Sequence, residues 1–145
     1  MPEPQNHNAS KYKPEYCDLL IHHMANGLSF ESFAGLIDVD QDTLYNWIKL
    51  AGEGNTFYQP FSDAKKKGVE KCRLFWERIG VRMTLGLPIK FIDAETHKEI
   101  ETKRYNTTAW IFNMKNRFKW RDTFDVTSDD KPMSTLPIRV ILNKP

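Results

Sequence analysis

The chain has 145 residues, and its 21 Lys and Arg against 19 Asp and Glu give a formal net charge of +2. That length favours one compact domain, or one domain with a small appendage, and 9 Phe, 5 Tyr and 4 Trp can close a hydrophobic core, which excludes wholesale disorder. No apolar run approaches the roughly 18 residues of a membrane span, and the polar residues 1–10 do not resemble a signal peptide. We therefore expect a soluble protein of a reducing cytoplasm, with Cys17 and Cys72 unpaired rather than bridged.

The positive charge is concentrated in the middle of the chain. Residues 1–55 carry a net charge of −5, whereas residues 56–124 carry +7. Two segments, 65–82 and 115–121, hold most of these cations, and either could contact a polyanion. Solvated helix faces are the commoner explanation of such charge runs, and the contact with a polyanion stays open beside it.

The first predicted elements are a lead-in and three short helices. Residues 1–13 lack periodicity and predict a flexible lead-in. Apolar residues at three- and four-residue spacing then predict helices at 14–25, 29–36 and 41–50. Tight turns separate the three helices, so we expect them to pack against one another.

Within these helices, residues 30–50 fit a helix-turn-helix. Ala34 lies where the two helices would cross, and Val39 would fill the turn. Leu44 and Trp47 would face inward from the second helix. Asp38 stands at the turn position that Gly usually fills, and Asp tolerates the left-handed conformation better than most residues. We therefore predict a helix-turn-helix DNA-binding domain at 14–52. The alternative is a plain three-helix packing unit, since the negative charge of this region repels phosphate.

The candidate DNA contacts come from the exposed face of the third helix and from the basic segment that follows it. Gln and Asn side chains in such a helix pair naturally with adenine in the major groove. Acidic residues beside this face predict weak binding by one copy, so several copies or the basic segment must add affinity. The predicted DNA-binding residues are Gln41, Tyr45, Asn46, Lys49, Lys65, Lys66 and Lys67.

A glycine-rich stretch precedes the longest helix. Residues 53–60 predict a flexible linker, and Pro60 opens a helix that runs to about residue 85. Apolar residues at steps of three or four form one stripe along this helix, and such a stripe needs a facing partner. The stripe consists of Phe61, Ala64, Gly68, Cys72, Phe75, Ile79 and Met83.

The elements after the long helix predict assembly. Residues 89–92 and 99–105 predict a β-hairpin, and residues 106–117, capped by Asn106, predict a helix that is apolar on most of its circumference. Such a helix must be buried on several sides, in its own domain or against other subunits. We predict that residues 61–122 form a central oligomerisation domain. Its predicted contacts between subunits are Phe75, Ile79, Met83, Trp110 and Phe112.

The end of the chain predicts a linker and a strand. Residues 123–135 are polar and predict a flexible linker. Residues 136–145 form an alternating, β-branched segment, and because one strand alone is unstable, we expect Ile138 and Val140 to pair between subunits. The expected fold class is mainly α, with an N-terminal helix-turn-helix domain, a central helical oligomerisation domain with a β-hairpin, and a C-terminal β-strand.

No residue pattern predicts catalysis. The chain has no phosphate-binding loop and no nucleophile elbow. The adjacent His22 and His23 point in different directions on a helix, which disfavours a shared metal. Carboxylates on the hairpin could bind a divalent cation, but a solvated hairpin tip explains them better. We expect a protein that is not an enzyme and that carries no cofactor and no metal.

Three segments, in this order, resemble the small terminase subunit of tailed bacteriophages. They are FSDAKKK at 61–67, LFWE at 74–77 and TAWIFNMKNRFKWRD at 108–122. The resemblance covers roughly residues 14–122, and it implies an N-terminal helix-turn-helix, a helical centre that assembles into a ring and a C-terminal β-segment. The loop at 51–59 departs from the family pattern by its length, so we expect it to loosen the DNA-binding domain from the ring.

The resemblance also implies a function. Such a ring recognises viral double-stranded DNA and delivers it to the large terminase subunit, whose ATPase and nuclease package and cut the genome in the cytoplasm of the infected bacterial host. The C-terminal segment is the expected contact with the large subunit. One alternative is a dimeric helix-turn-helix transcriptional regulator, which differs from a ring in its stoichiometry. A purely structural oligomer that contacts only protein is another.

Overall fold

The computed structural model describes residues 11–93 and 95–121, together with the backbone of residues 127–128 and 131–132. The predicted class is confirmed in its coarse form, because the fold is mainly helical with a small antiparallel hairpin. The elements are α1 (Tyr16–Ala25), α2 (Phe33–Leu36), α3 (Gln41–Gly52), α4 (Gln59–Thr84), β1 (Ile89–Ile92), β2 (Glu99–Thr102), α5 (Thr107–Phe118), β3 (Thr127–Ser128) and β4 (Lys131–Pro132).

The main hydrophobic core joins α1, α2, α3 and the first half of α4. Leu20, Phe33, Leu44, Trp47 and Phe61 are fully buried there. Apolar residues recur at helical spacing in each of these elements, so each helix turns one face to the same centre. Of the fourteen buried apolar side chains in the described part of the chain, thirteen lie between residues 12 and 72.

The predicted flexible linker at 53–60 is a compact turn instead. The amide of Asn55 donates to the carbonyl of Leu50 at 3.0 Å, and the amide of Tyr58 donates to the carbonyl of Asn55 at 3.2 Å. Tyr58 itself is only 2% exposed and packs against Tyr12, with ring centroids 5.1 Å apart. Aromatic burial therefore outweighs the flexibility that the glycines of this stretch suggest. The expected loosening at this loop is wrong, since the start of α4 shares the core of α1–α3.

The predicted flexible lead-in likewise ends earlier than residue 13. Tyr12 is buried, and its ring centroid lies 5.2 Å from that of Trp47 in an edge-on arrangement. Its hydroxyl lies 3.3 Å from the Sγ atom of Cys17. This one aromatic residue anchors the chain before α1, although nothing periodic in the preceding sequence indicates it.

The second half of the molecule is built on the end of α4. β1 and β2 pair antiparallel with Ile89 opposite Thr102 and Ile92 opposite Glu99, so the second strand ends before the predicted residue 105. The predicted cap of α5 is confirmed, because the Asn106 side chain accepts a hydrogen bond from the amide of Ala109 at 2.9 Å. None of the helices in the described ranges combines the length and apolarity that crossing a bilayer requires.

The turn after α1 ties the two halves together. Gly27 has φ = 89°, in the left-handed region that favours glycine, and a Cβ there would collide with the ring of Phe75. Its carbonyl accepts hydrogen bonds from the indole nitrogen of Trp76 at 3.0 Å and from Nη1 of Arg117 at 2.6 Å. One backbone carbonyl thus connects α1, α4 and the end of α5.

Candidate nucleic-acid interface

The turn between α2 and α3 sets the direction of α3. Asp38 has φ = 56°, the left-handed conformation that the sequence predicts for this position. The amide of Val39 donates to the carbonyl of Ala34 at 3.0 Å, and Ala34 is buried. As predicted, Leu44 and Trp47 then face the core, which fixes the opposite face of α3 toward the exterior.

The outward face of α3 carries the predicted polar residues. Gln41, Tyr45 and Lys49 follow one another at four-residue steps and are exposed, while Asn46 is half-buried beside them. The Nζ atom of Lys49 lies 3.9 Å from a carboxylate oxygen of Glu53, and both side chains are well exposed. An exposed pair of this kind binds weakly, so the Lys49 ammonium can exchange its partner for another anion.

Tyr45 belongs to a small polar cluster between α3 and α4. Its hydroxyl donates to the carboxylate of Glu31, and the Nζ atom of Lys65 lies 4.5 Å from the ring centroid of Phe30 and 5.2 Å from that of Tyr45. The shared hydrogen bond is the main reason that the pKa of Glu31 is lowered and that of Tyr45 is raised. The Tyr45 hydroxyl is therefore engaged within the chain, and the half-exposed ring is the part offered to a ligand.

The structure divides the three predicted lysines of α4. Successive helical residues point about 100° apart, so only Lys65 lies next to Tyr45 and the rings beside α3. Lys66 and Lys67 are exposed on other sides of α4. The Tyr45 hydroxyl is held by Glu31, which no local sequence pattern indicates because it precedes Tyr45 by fourteen residues.

Negative charge surrounds this candidate interface. Asp38, Asp40 and Asp42 are all exposed around the start of α3. Asp40 occupies the N-cap position, but its side chain forms no capping hydrogen bond. Carboxylates so close to the outward face weaken the attraction to phosphate, which makes a strong contact by one copy unfavourable.

The residues predicted to contact other subunits have different surroundings. Phe75, Ile79, Met83 and Trp110 are half-buried around a groove of about 490 Å³ between α4, the hairpin and α5. Phe112 is 70% exposed. Ile138 and Val140 lie outside the described residues.

Trp110 makes a contact within the chain that the sequence did not predict. Its indole nitrogen donates to the carbonyl of Trp76 at 2.8 Å, and its ring lies directly against Gly80. The prediction that α5 is buried on several sides is not met by one copy, where Met114 is its one buried residue. Leu85, directly after α4, and Ile92, at the end of β1, are 65% and 68% exposed.

Arg117 lies in the basic segment 115–121, but its guanidinium is engaged within the chain. Besides the carbonyl of Gly27, its guanidinium contacts the Sγ atom of Cys72, at 3.3 Å from Nη2. Burial raises the pKa of the Cys72 thiol, and the nearby guanidinium offsets part of that rise. Cys17 and Cys72 are both free thiols, as expected. Within the described ranges, no group of three or more His, Cys, Asp or Glu is placed to hold a metal ion.

No protein-family model, curated protein or solved structure matches this chain.

Proposed function

We propose that the chain is the DNA-binding subunit of a homo-oligomer and acts as a phage terminase small subunit, which recognises viral double-stranded DNA and delivers it to the large terminase subunit. The observation that carries this proposal is the outward face of α3, with the amides of Gln41 and Asn46 and the ammonium of Lys49. Amide groups read adenine through paired hydrogen bonds, and an ammonium contacts phosphate. This combination suits a helix that enters the major groove.

In this proposal, α2, the turn and α3 act as a helix-turn-helix. The left-handed Asp38, the bond from Val39 to Ala34 and the inward Leu44 and Trp47 support it, because together they hold α3 rigidly above the core. A recognition helix must be rigid, since its base contacts depend on a fixed register with the duplex.

Two surfaces of the chain support assembly into an oligomer, namely the acidic surroundings of α3 and the exposed apolar side chains beyond α3. The acidic surroundings of α3 predict weak binding by one copy, and linking several copies raises the overall affinity without any new contact. The exposed Leu85, Ile92 and Phe112 supply apolar surface for contacts between copies. We infer that α4 and α5 form the wall of a closed ring, the ordinary product of a head-to-tail contact that closes, in the cytoplasm of the infected bacterial host.

The DNA contact is tested by fluorescence anisotropy with labelled duplex DNA at low salt. The double variant Asn46→Ala and Lys49→Ala should weaken binding at least about fivefold, the loss expected from one good base contact. Lys103→Ala removes the same charge from an exposed position outside α3, and it should bind like the wild type. Equal binding by the double variant and the wild type would contradict α3 as the reading helix.

A further inference from the structure

A basic groove of about 550 Å³ lies between the end of α1, the second half of α4 and the start of β1. Nine described residues line it, of which four are cationic, namely Lys71, Arg78, Arg82 and Lys90, and none of these nine is acidic. No residue of α3 lines the groove, and neither does any of the seven predicted DNA-binding residues. Three of its four cations belong to the basic segment 65–82, for which the sequence leaves a polyanion contact open.

The spacing of residues in α4 produces this charge. Lys71, Arg78 and Arg82 are separated by seven and four residues, which places them on one face over about 16 Å of helix. The nearby acids Glu70 and Glu77 point roughly 80 to 120° away from Lys71 and Arg78 around the same helix. The helix thus does not neutralise its own basic face.

Lys71 and Arg78 differ from the other two cations, because neither is held by another group of the described residues. The ion pairs of the described residues involve neither Lys71 nor Arg78, and both side chains are exposed. By contrast, the Nζ atom of Lys90 lies 3.9 Å from Glu99 and 3.7 Å from Glu101. Lys71 and Arg78 are therefore the cations whose charge is available to a ligand.

The fourth cation shapes the groove. The Nε atom of Arg82 donates to the carbonyl of Pro88 at 2.5 Å, which holds the segment before β1 against α4. This bond uses one of the five guanidinium donors and keeps the positive charge at the groove. The wall of the groove that this segment forms is therefore fixed by the fold before any ligand binds.

We propose that this groove binds the phosphate backbone of duplex DNA through Lys71 and Arg78, as a second contact in addition to α3. The two residues are about 10 Å apart along α4, which is comparable to the rise of about three base pairs along the axis of a duplex, at 3.4 Å each. Phosphate contacts add affinity without sequence information. The groove would thus compensate for the acidic surroundings of α3. The choice of ligand depends on the proposed function, because that function supplies the DNA.

The salt dependence of DNA binding tests the proposal. The double variant Lys71→Gln and Arg78→Gln changes exposed side chains only, and circular dichroism with a melting curve should show an unchanged fold. Each lost phosphate contact flattens the plot of log affinity against log salt by about 0.9. The affinity ratio of wild type to variant should therefore shrink at least about 12-fold between 50 and 200 mM salt, equally for unrelated duplexes.

The matched control is Lys98→Gln and Lys103→Gln, which removes the same charge from exposed positions outside the groove and should keep the wild-type slope. An unchanged slope of log affinity against log salt in the groove variant would overturn the proposal. If the mass of the assembly also fell, the groove would instead hold an acidic surface of a neighbouring copy. If Asn46→Ala and Lys49→Ala weaken binding while the groove variant keeps its slope, only this inference fails. No wild-type binding at 50 mM salt would contradict the proposed function as well.

Discussion

The indole ring of Trp110 lies directly against Gly80, so that the start of α5 approaches α4 at the one position of its second half that has no side chain. A Cβ on Gly80 would overlap Cζ2 of Trp110 and lie 2.8 Å from Cε2. The ring cannot shift freely, because its nitrogen is bonded to the carbonyl of Trp76. Gly80 therefore sets the distance between the two helices of the proposed ring wall.

This contact predicts the effect of Gly80→Ala. The added methyl group overpacks the contact, and the free energy of unfolding should fall by about 1–3 kcal/mol in urea denaturation. Gly52→Ala is the matched control, since nothing lies within 4 Å of a Cβ at the end of α3. That control should be neutral or gain up to about 1 kcal/mol. Equal stability of the two variants would show that the contact of Trp110 with α4 does not require glycine at position 80.

Arg117 predicts a stability effect without a DNA effect. Arg117→Gln removes the charged hydrogen bonds to Gly27 and Cys72 and should lower the free energy of unfolding by about 1.5–3 kcal/mol. Arg104→Gln removes an equal charge from an exposed side chain and should cost little. Denaturation midpoints of both variants check the difference. A flatter salt dependence of DNA binding in Arg117→Gln would instead assign this residue to the nucleic-acid contact.

The left-handed turn at Asp38 predicts a difference between two neutral substitutions. Asp38→Gly relieves the backbone conformation and should keep or raise stability, whereas Asp38→Ala should be about 1–2 kcal/mol less stable than Asp38→Gly. Both variants remove the same carboxylate, so the comparison isolates the backbone. Thermal melting of the pair measures it, and Ala as stable as Gly would contradict the observed φ.

His23 predicts a loss of stability on mild acidification. Its Nε2 atom lies 3.1 Å from the carbonyl of Ser29 and 2.9 Å from the hydroxyl of Ser32, and burial is the main cause that lowers its pKa below the ordinary 6.5. The unfolded chain then binds a proton at higher pH than the folded chain. The contribution of neutral His23 to the free energy of unfolding is complete above pH 6.5, and it declines as the pH falls toward the pKa of His23 in the folded chain.

The measurement is urea denaturation between pH 7.5 and 5.0. The slope from this one proton cannot exceed about 1.4 kcal/mol per pH unit. The lowered carboxyl pKa values of Glu31 and Asp93 have their effect at lower pH, below ordinary values of 4.5 and 3.8. His23→Gln should flatten the plot of the free energy of unfolding against pH above pH 5. An identical profile in that variant would assign the titration to another group.

Local chemistry made parts of the helix-turn-helix region and the start of α5 predictable. The tolerance of Asp for the left-handed region gave the turn at Asp38, helical spacing gave the inward Leu44 and Trp47, and a short polar side chain gave the cap at Asn106. Each of these depends on residues within one or two turns of helix. Short-range patterns carry that information directly.

Contacts between distant residues were not predictable. Arg117 is hydrogen-bonded to Gly27 across ninety residues, and Tyr45 to Glu31 across fourteen. The Arg117 guanidinium and the Tyr45 hydroxyl are thus both engaged within the chain, which the sequence did not indicate. The glycines at 51–55 indicated a loose linker, but burial of Tyr58 outweighs them. In each case the partner comes from another element, and tertiary packing overrides the local preference.

The exposed Phe112 predicts an effect on assembly alone. Phe112→Ser should leave the free energy of unfolding of one copy within about 0.5 kcal/mol, because the side chain is 70% exposed, but it should weaken contacts between copies. Leu36→Ser is the control, since this residue of α2 is also exposed and lies far from α5 in sequence. An unchanged assembly in Phe112→Ser would remove this side chain from the interface.

The mass of the purified protein by native mass spectrometry at near-physiological salt tests the central claim most directly. The proposed DNA-binding ring predicts one discrete mass of more than two copies for the wild type, and smaller species for Phe112→Ser. A dimer would favour the transcriptional regulator over the ring. A monomer at micromolar concentration would contradict the account, because the apolar side chains of α4, the hairpin and α5 would then remain exposed to water.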